Sequence, residues 1–363
     1  MIMAKYEVEV WSKDNKPMGD IFHLCENMRW SKTRNDADML SFDVDLTRYE
    51  EYIKAMGFGD NPRSFMEVGR NDIRVKRNDR YIVGTNIIKF GYNGSSSSVK
   101  MSVNASGYLN YYKKRYVTMN YTGKPQQDIM WGVIDMCNQM PGGDYGVRRG
   151  RHTGATILRD RNQERKEVKS FLQQLSQVSK GCDFEITPDK LFNTYEAQGY
   201  YRPDMRLEYP GDIASFSFDR SVENVANVVY GIGSGNGEDA VQTKVEDATS
   251  QQAIYRREMI ASYNSVTEIS TLTQNATAVL HYSKDPIELP SITVENGALD
   301  LSDVGVGDTI YIKLNGNKSL QHIDGYYRIE SISVSVDSNG WESVELTFDD
   351  IDINDIISKQ EAV

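Results

Sequence analysis

Met39–Leu46 reads MLSFDVDL, and its alternation decides the architecture: Leu40, Phe42, Val44 and Leu46 fall on one face, Ser41, Asp43 and Asp45 on the other. A period of two is a strand with one face buried and one face in water. The same period recurs on either side of a short helix at Tyr49–Met56. Asp72–Lys76 sets Ile73 and Val75 against Arg74 and Lys76. Tyr81–Val83 and Asn86–Tyr92 flank Gly84–Thr85, which predicts a hairpin or a bulge. Gly94–Ser98 reads as a loop, and Val99, Met101 and Val103 alternate again. The first block is therefore a barrel or a sandwich.

The period then changes. Ile129, Trp131, Val133, Ile134 and Cys137 follow helical spacing after Pro125, a residue tolerated in a first turn. Val168, Phe171, Leu172, Leu175 and Val178 predict a second helix, with Asn162 able to cap its start and Gly181 past its end. Cys182–Thr187 and Lys190–Tyr195, on either side of Pro188–Asp189, form a hairpin. Residues 105–204 thus make a compact α+β insertion. Strands resume at Ile213–Asp219 and Val225–Ile232, followed by helical patterns at Ser250–Ile260 and Val266–Tyr282. Asp308–Leu314, Tyr326–Val336 and Val344–Phe348 are strands, the last two joined by a turn at Ser338–Gly340. The fold class is mainly β with α+β insertions: two β-barrels bridged by smaller α/β domains.

Composition agrees. At 363 residues the chain divides into two to four domains. With 39% hydrophobic and 26% charged residues it is ordered, and 22 tyrosines against 9 prolines lean towards strands and interfaces. Cys25, Cys137 and Cys182 are odd in number and far apart, matching neither a disulfide framework nor a zinc site. Met1–Trp11 lacks the apolar run of a signal peptide, and no window reaches the roughly 18 apolar residues of a membrane span. A soluble chain made in a reducing compartment is expected. Charge is segregated: residues 1–210 carry 32 Lys+Arg and 27 Asp+Glu, residues 211–363 carry 9 and 25. That acidic half argues against general nucleic-acid binding, which needs cations to displace counterions.

Each constellation that suggests chemistry has a blander reading. Gly231–Gly237 follows a strand, but the G-x-G-x-x-G spacing fails in both frames at Asn236 and Glu238, and Glu238 and Asp239 would repel a pyrophosphate. It is a turn. His23, His152, His281 and His322 share no local motif, and no HExxH or Gly-x-Ser-x-Gly occurs. Asp43 and Asp45 lie on the polar face of a strand. Asp300, Asp303 and Asp308 lack the order of a calcium loop, and Asp349, Asp350, Asp352 and Asp355 are a terminal cluster. All read as surface charge or turn formers. Arg148–His152 is one dense basic patch, suited to phosphate or to a salt bridge with an acidic neighbouring subunit. No catalytic, cofactor-binding or metal-ligating residue is assigned, and no cofactor is expected.

Four segments together resemble the tail hub proteins of siphophages, also called tail-associated or minor tail proteins. They are Gly107–Leu109 with Lys114–Val117; Arg159–Arg161 through Val168–Ser179 to Gly181–Ile186; Asn224–Gly233; and Val304–Asp308 with Tyr327–Ile329 and the final hairpin. That family is similar to the baseplate central hub of contractile-tailed phages. The resemblance implies a homotrimer in which each subunit supplies two tube-like β-barrels, six barrels continuing the hexameric tail tube. It divides the chain into a first hub barrel (1–104 plus 205–235), an inserted α+β domain (105–204), a helical or α+β linker domain (236–292), a second hub barrel (293–350) and an acidic C-terminal tail (351–363). It implies a non-catalytic virion protein at the distal tail tip, assembled in the host bacterial cytoplasm. Implied partners are the distal tail protein, the tail tube protein, the tape-measure protein and receptor-binding or fibre proteins. The genome passes through the channel with no sequence-specific contact, and the acidic half becomes a subunit interface or a repulsive channel lining. The chain ends just after the second barrel, so no built-in cell-wall enzyme is expected. Two rivals are a glycan hydrolase working through paired carboxylates at ~5–9.5 Å separation, and a carbohydrate-recognising receptor binder using tyrosines as platforms.

Overall fold

The computed structural model describes residues 4–349, apart from 60, 96–97, 179, 219–221, 224, 236, 264–265, 286–289 and 321–322. The tail at 351–363, His322 and Asn224 lie outside the described residues. The chain forms two compact units: one comprises residues 1–176, 182–216 and 291–363, the other residues 177–181 and 217–290.

The larger unit opens with strands β1 (Tyr6–Trp11), β2 (Pro17–Asp20), β3 (Glu26–Thr33) and β4 (Met39–Asp45), then helix α1 (Leu46–Ala55). Next come β5 (Asp72–Arg77), β6 (Arg80–Gly94) and β7 (Val99–Gly107). The insertion holds β8 (Tyr116–Pro125), α2 (Gln126–Gln139), β9 (Arg148–Thr153), β10 (Leu158–Glu167), α3 (Val168–Gln177), β11 (Asp183–Ile186) and β12 (Leu191–Tyr195). β13 (Tyr201–Tyr209) and β14 (Ile213–Ser217) follow. The smaller unit contains β15 (Val228–Ile232), β16 (Gln242–Glu246), α4 (Ala248–Ile254), β17 (Glu258–Ser262) and α5 (Ile269–Ser283). The chain then returns to the larger unit as β18 (Ser291–Val294), β19 (Thr309–Leu314), β20 (Asp324–Val336) and β21 (Glu342–Asp349).

Thirteen strands form one sheet in the order β14-β18-β21-β20-β3-β4-β7-β6-β5-β1-β2, with β19 branching from β20 and carrying β13. The first and last β blocks, expected as separate barrels, therefore meet edge to edge: β20 pairs with β3 from Ser331 opposite Thr33 to Val336 opposite Met28. They also share a core, in which Val8, Phe42, Val44 and Val103 pack with Ile310, Ile332, Val334 and Leu346. The sheet curls so that β1 and β5, near one end of the strand order, meet β21, near the other. Tyr6 on β1 donates to Glu342 at the start of β21, and Arg77 on β5 reaches the same carboxylate at 2.6 Å.

Several expectations are redistributed. β13 pairs in parallel with β19, and β14 lies beside β18, so both join the last block rather than the first. β15, expected to close the first barrel, sits in the smaller unit. Tyr81–Tyr92 is one continuous strand, because the hairpin turn lies earlier, at Asn78 and Asp79, both at positive φ. Gly84 is there for packing, since a Cβ would come within 2.7 Å of the Pro188 backbone. Asn162 is in β10, and α3 starts only at Val168, on whose N–H the Arg115 carbonyl closes at 2.9 Å. Ser250–Ile260 splits into α4 and β17, and β1–β3, β8–β10 and β13 form where no strand was read. In the smaller unit β16-β15-β17 form a sheet whose Val229 packs on Ala276 and Leu280 of α5.

Candidate functional site

One extended surface of the larger unit is the face of the long sheet turned away from its core. Each strand there alternates, apolar inward and polar outward, so the register determines which outward side chains become neighbours. Three rows result. Ser291, Thr347, Ser331 and Thr33 lie side by side on β18, β21, β20 and β3. Thr293, Glu345, Ser333, Ser31 and Met39 make the next, reaching β4. Ser343, Ser335, Arg29, Ser41, Asn104 and Lys89 make the third, reaching β6. At the usual strand spacing six strands span roughly 24 Å.

The face is made of short hydroxyl side chains and little charge. Many hydroxyls bond within it: Ser331 and Thr347 meet at 2.7 Å, Ser291 donates to Glu345 at 2.9 Å, and Arg29 donates to Ser335 at 3.1 Å. Charge at its β4–β7 margin is compensated. Ser102 and Asn27 donate to Asp43 at 2.5 and 3.0 Å, which holds its carboxyl below the ordinary range, and Lys100 pairs with Glu26 at 2.7 Å. Asp45 caps α1 by accepting from Arg48 N–H at 3.1 Å. The rows carry two cations, Arg29 and Lys89, against one carboxylate, Glu345, so the surface offers a polyanion no dense field of either sign.

Two buried charge clusters fasten the insertion beside this sheet. Asp183, only 6% exposed, accepts from Arg34 at 2.9 Å, Arg328 at 2.5 Å, Asn35 at 2.7 Å and the Gln198 N–H at 2.8 Å. Burial alone would raise its carboxyl, but Arg328 and Arg34, with those hydrogen bonds, hold it down at about 2. Lys190 pairs with Asp72 at 2.7 Å and lies over the Tyr108 and Tyr111 rings, while Tyr111 donates to the same carboxylate at 2.5 Å. A small pocket of about 20 Å³ opens between the β3–β4 turn and β11, lined by Lys32, Asp36, Asp38, Tyr108, Glu185 and Gln198 among others. Desolvation, with Glu185 and Asp36 close by, pushes the Asp38 carboxyl up to about 7 against the opposing pull of Lys32.

The other singled-out residues are structural in their contacts. Gly231 packs under Leu272 and Ala276, where a Cβ would crowd both at 3.3 Å, and Gly235 turns the chain at φ +113. His23 stacks edge-on to Tyr52, His152 meets the Thr194 hydroxyl at 2.8 Å, and His281 lies in α5. Asp300 accepts from Ser302 N–H at 2.8 Å, and Asp308 accepts from Tyr200 and Gly305 N–H at 2.7 and 2.9 Å. The basic patch on β9 is partly compensated inside the chain: Arg148 pairs with Asp144 and Arg149 with Asp128, while Arg151 lies over the Tyr195 ring. Cys25, Cys137 and Cys182 are free and buried; burial pushes the Cys182 thiol up to about 11. Among the described residues no three His, Cys, Asp or Glu side chains are placed to hold a metal ion. The sequence reading missed the hydroxyl rows; their signal was the Ser331-x-Ser333-x-Ser335 run, silent until register set it beside Thr33, Ser31 and Arg29.

No family model matches the sequence, and no curated protein matches it either. Solved structures do. A tail protein from Neisseria meningitidis superposes with a TM-score of 0.68 at 13% identity, over 95% of this chain and 96% of that one. The 43 kDa tail protein of prophage MuSo2 from Shewanella oneidensis gives 0.67 at 11% identity, over 95% and 98%. The fold is that of phage tail proteins. A type VI secretion component of E. coli, described as similar in structure to the T4 tail proteins gp27 and gp5, matches at 0.53 with 11% identity, over 97% of this chain and 76% of that one. The tail-protein fold thus extends over nearly the whole length, insertion and smaller unit included.

Proposed function

We propose that this chain is a non-catalytic structural subunit of a phage tail, forming a homotrimeric hub at the distal tip. The observation that carries the reading is the full-length match in fold to two phage tail proteins, each also covered almost completely. In this reading the N-terminal strands β1–β7 and the C-terminal strands with β13 and β14 are the two tube-like halves of each subunit. Three subunits place six halves in a ring that continues the hexameric tube. The hydroxyl rows of β18, β21, β20, β3 and β4 line the channel through which the genome passes. That lining replaces the repulsive acidic one expected from composition, since Glu345 is the one carboxylate of the C-terminal half in these rows. The distal tail protein, tail tube protein, tape-measure protein and receptor-binding or fibre proteins are the partners of this assembly.

Electron microscopy of intact tails, with gold-labelled antibody to this chain, tests the reading. Label at the tip and a threefold ring of this fold support it. A peripheral location, or sixfold copies along the tube, overturns it. One observation favours a second reading, a carbohydrate-binding tip protein: Tyr201, Tyr311 and Tyr326 cluster on β13, β19 and β20 at centroid distances of 4.9 and 5.2 Å. Glycan-array binding lost on Tyr326→Ala would select that alternative.

A further inference from the structure

The smaller unit ends its sheet on β17, and the hydrogen bonds of that strand show which backbone groups it leaves over. The Arg257 carbonyl accepts from Asn227 and Val228 N–H, both at 3.0 Å, and Tyr263 N–H donates to the Ile232 carbonyl at 2.7 Å. Odd-numbered residues thus face β15. With a period of two, Glu258, Ile260 and Ser262 aim their N–H and C=O groups outward. Among the described residues no second strand pairs with this edge. Edge strands are ordinarily blunted by Lys or Pro. The opposite edge, β16, carries Lys244 at its centre, whereas β17 has Ile260 there, 69% exposed, beside Met259 at 37%.

Just upstream, Tyr255 is 87% exposed at φ +67, ψ 164, a backbone region suited to glycine. Such strain persists only where neighbours over-determine it. Here the neighbour is Asn227, fully buried. Its amide donates to the Tyr255 carbonyl at 2.8 Å and the Ser250 hydroxyl at 3.1 Å, and its oxygen accepts from Arg257 N–H at 2.8 Å. The fold thereby holds an aromatic ring in solvent next to an open strand edge. Residues 217–290 carry ten Asp and Glu against five Lys and Arg.

We propose that the β17 edge docks an extended, basic segment of a partner protein, which adds a strand against Glu258–Ser262 and packs apolar side chains on Ile260 and Tyr255. The inference stands on the smaller unit alone and does not require the tail reading. It is tested on the whole chain with a dye-labelled peptide of about nine residues, alternating Thr and Val with Lys at both ends. Wild type is expected to bind it, with affinity falling about tenfold or more in Ile260→Lys and Tyr255→Ala, each hot-spot loss exceeding about 1.4 kcal/mol. A peptide with Glu in place of Lys is expected to bind about tenfold more weakly, in line with the acidic unit. Amide exchange should slow at Glu258, Ile260 and Ser262 on binding. Circular dichroism checks that both variants fold. No binding by wild type, equal binding by Ile260→Lys, or protection elsewhere overturns the proposal. So does protection of β17 without peptide that rises with protein concentration and disappears in Ile260→Lys, because the occupant is then a second copy of this chain.

Discussion

Asp183 joins the N-terminal turn, the insertion and the C-terminal strands through Arg34, its own strand β11, and Arg328. Removing one cation leaves a buried charge short of a partner, which typically costs about 3–5 kcal/mol. Arg328→Met should therefore lower the midpoint of urea unfolding sharply, whereas Lys100→Met at the exposed Lys100–Glu26 pair should change it little. The pH dependence has two windows of opposite sign. Asp183 is held at about 2, below its unfolded value, so its stabilisation is present above about pH 4 and is lost as pH falls towards 2. Asp38 is raised to about 7. Its folded form keeps a proton that the unfolded chain has released, so stability falls as pH rises from about 4 to 7 and is flat above. Three pH units give at most about 4 kcal/mol, nearer 2 once solvent reaching the pocket is allowed for. Asp38→Asn should flatten the dependence of thermal midpoint on pH between 5 and 8, measured by calorimetry; a slope equal to wild type would remove the pocket carboxyl as its cause.

At the scale of elements, alternation made β4, β7 and the final hairpin readable from residues such as Leu40, Phe42 and Val44, because one face of each is buried and the other wet; β5 alternates too, although its Asp72 and Arg74 are buried along with Ile73 and Val75. The helical spacing of Val168, Phe171, Leu172 and Leu175 made α3 readable for the same reason. β6 was misread at Gly84, whose role is to let Pro188 and Tyr108 approach. Gly84→Val should accordingly destabilise by overpacking, by about 1–3 kcal/mol, without disturbing the Asn78–Asp79 turn. Hydrogen exchange would show the loss at the contact between β6 and the β11–β12 turn. β10 was missed because LRDRNQERKE at Leu158–Glu167 is polar on nearly every residue, and its pairing with β8 supplies what its composition does not.

For the whole molecule, the one-sheet architecture carries the functional prediction. If the hydroxyl rows face a channel, Ser333→Lys combined with Ser31→Lys places cations where a polyanion passes. Tails should then assemble with a normal tip by electron microscopy, while genome release in vitro slows severalfold at low salt and recovers as salt screens the added charge. Release equal to wild type at every salt concentration would remove these rows from the channel.

The sequence by itself determined the local alternatives. Alternating Leu40–Val44 and Ile332–Val336 had to be half-buried strands, Val168–Leu175 an amphipathic helix, and Gly231–Gly237 a turn, because period and turn chemistry act within a few residues. It also held the resemblance to tail hub proteins, through short segments in a consistent order. Only the tertiary structure decided that Ser331 lies beside Thr33, that β13 pairs with β19, that Asp183 meets Arg34 and Arg328, and that β17 is an edge. The reason is physical: strand pairing and buried ion pairs join residues up to some 300 positions apart, and a backbone hydrogen bond carries no mark of its partner in the side chains on either strand.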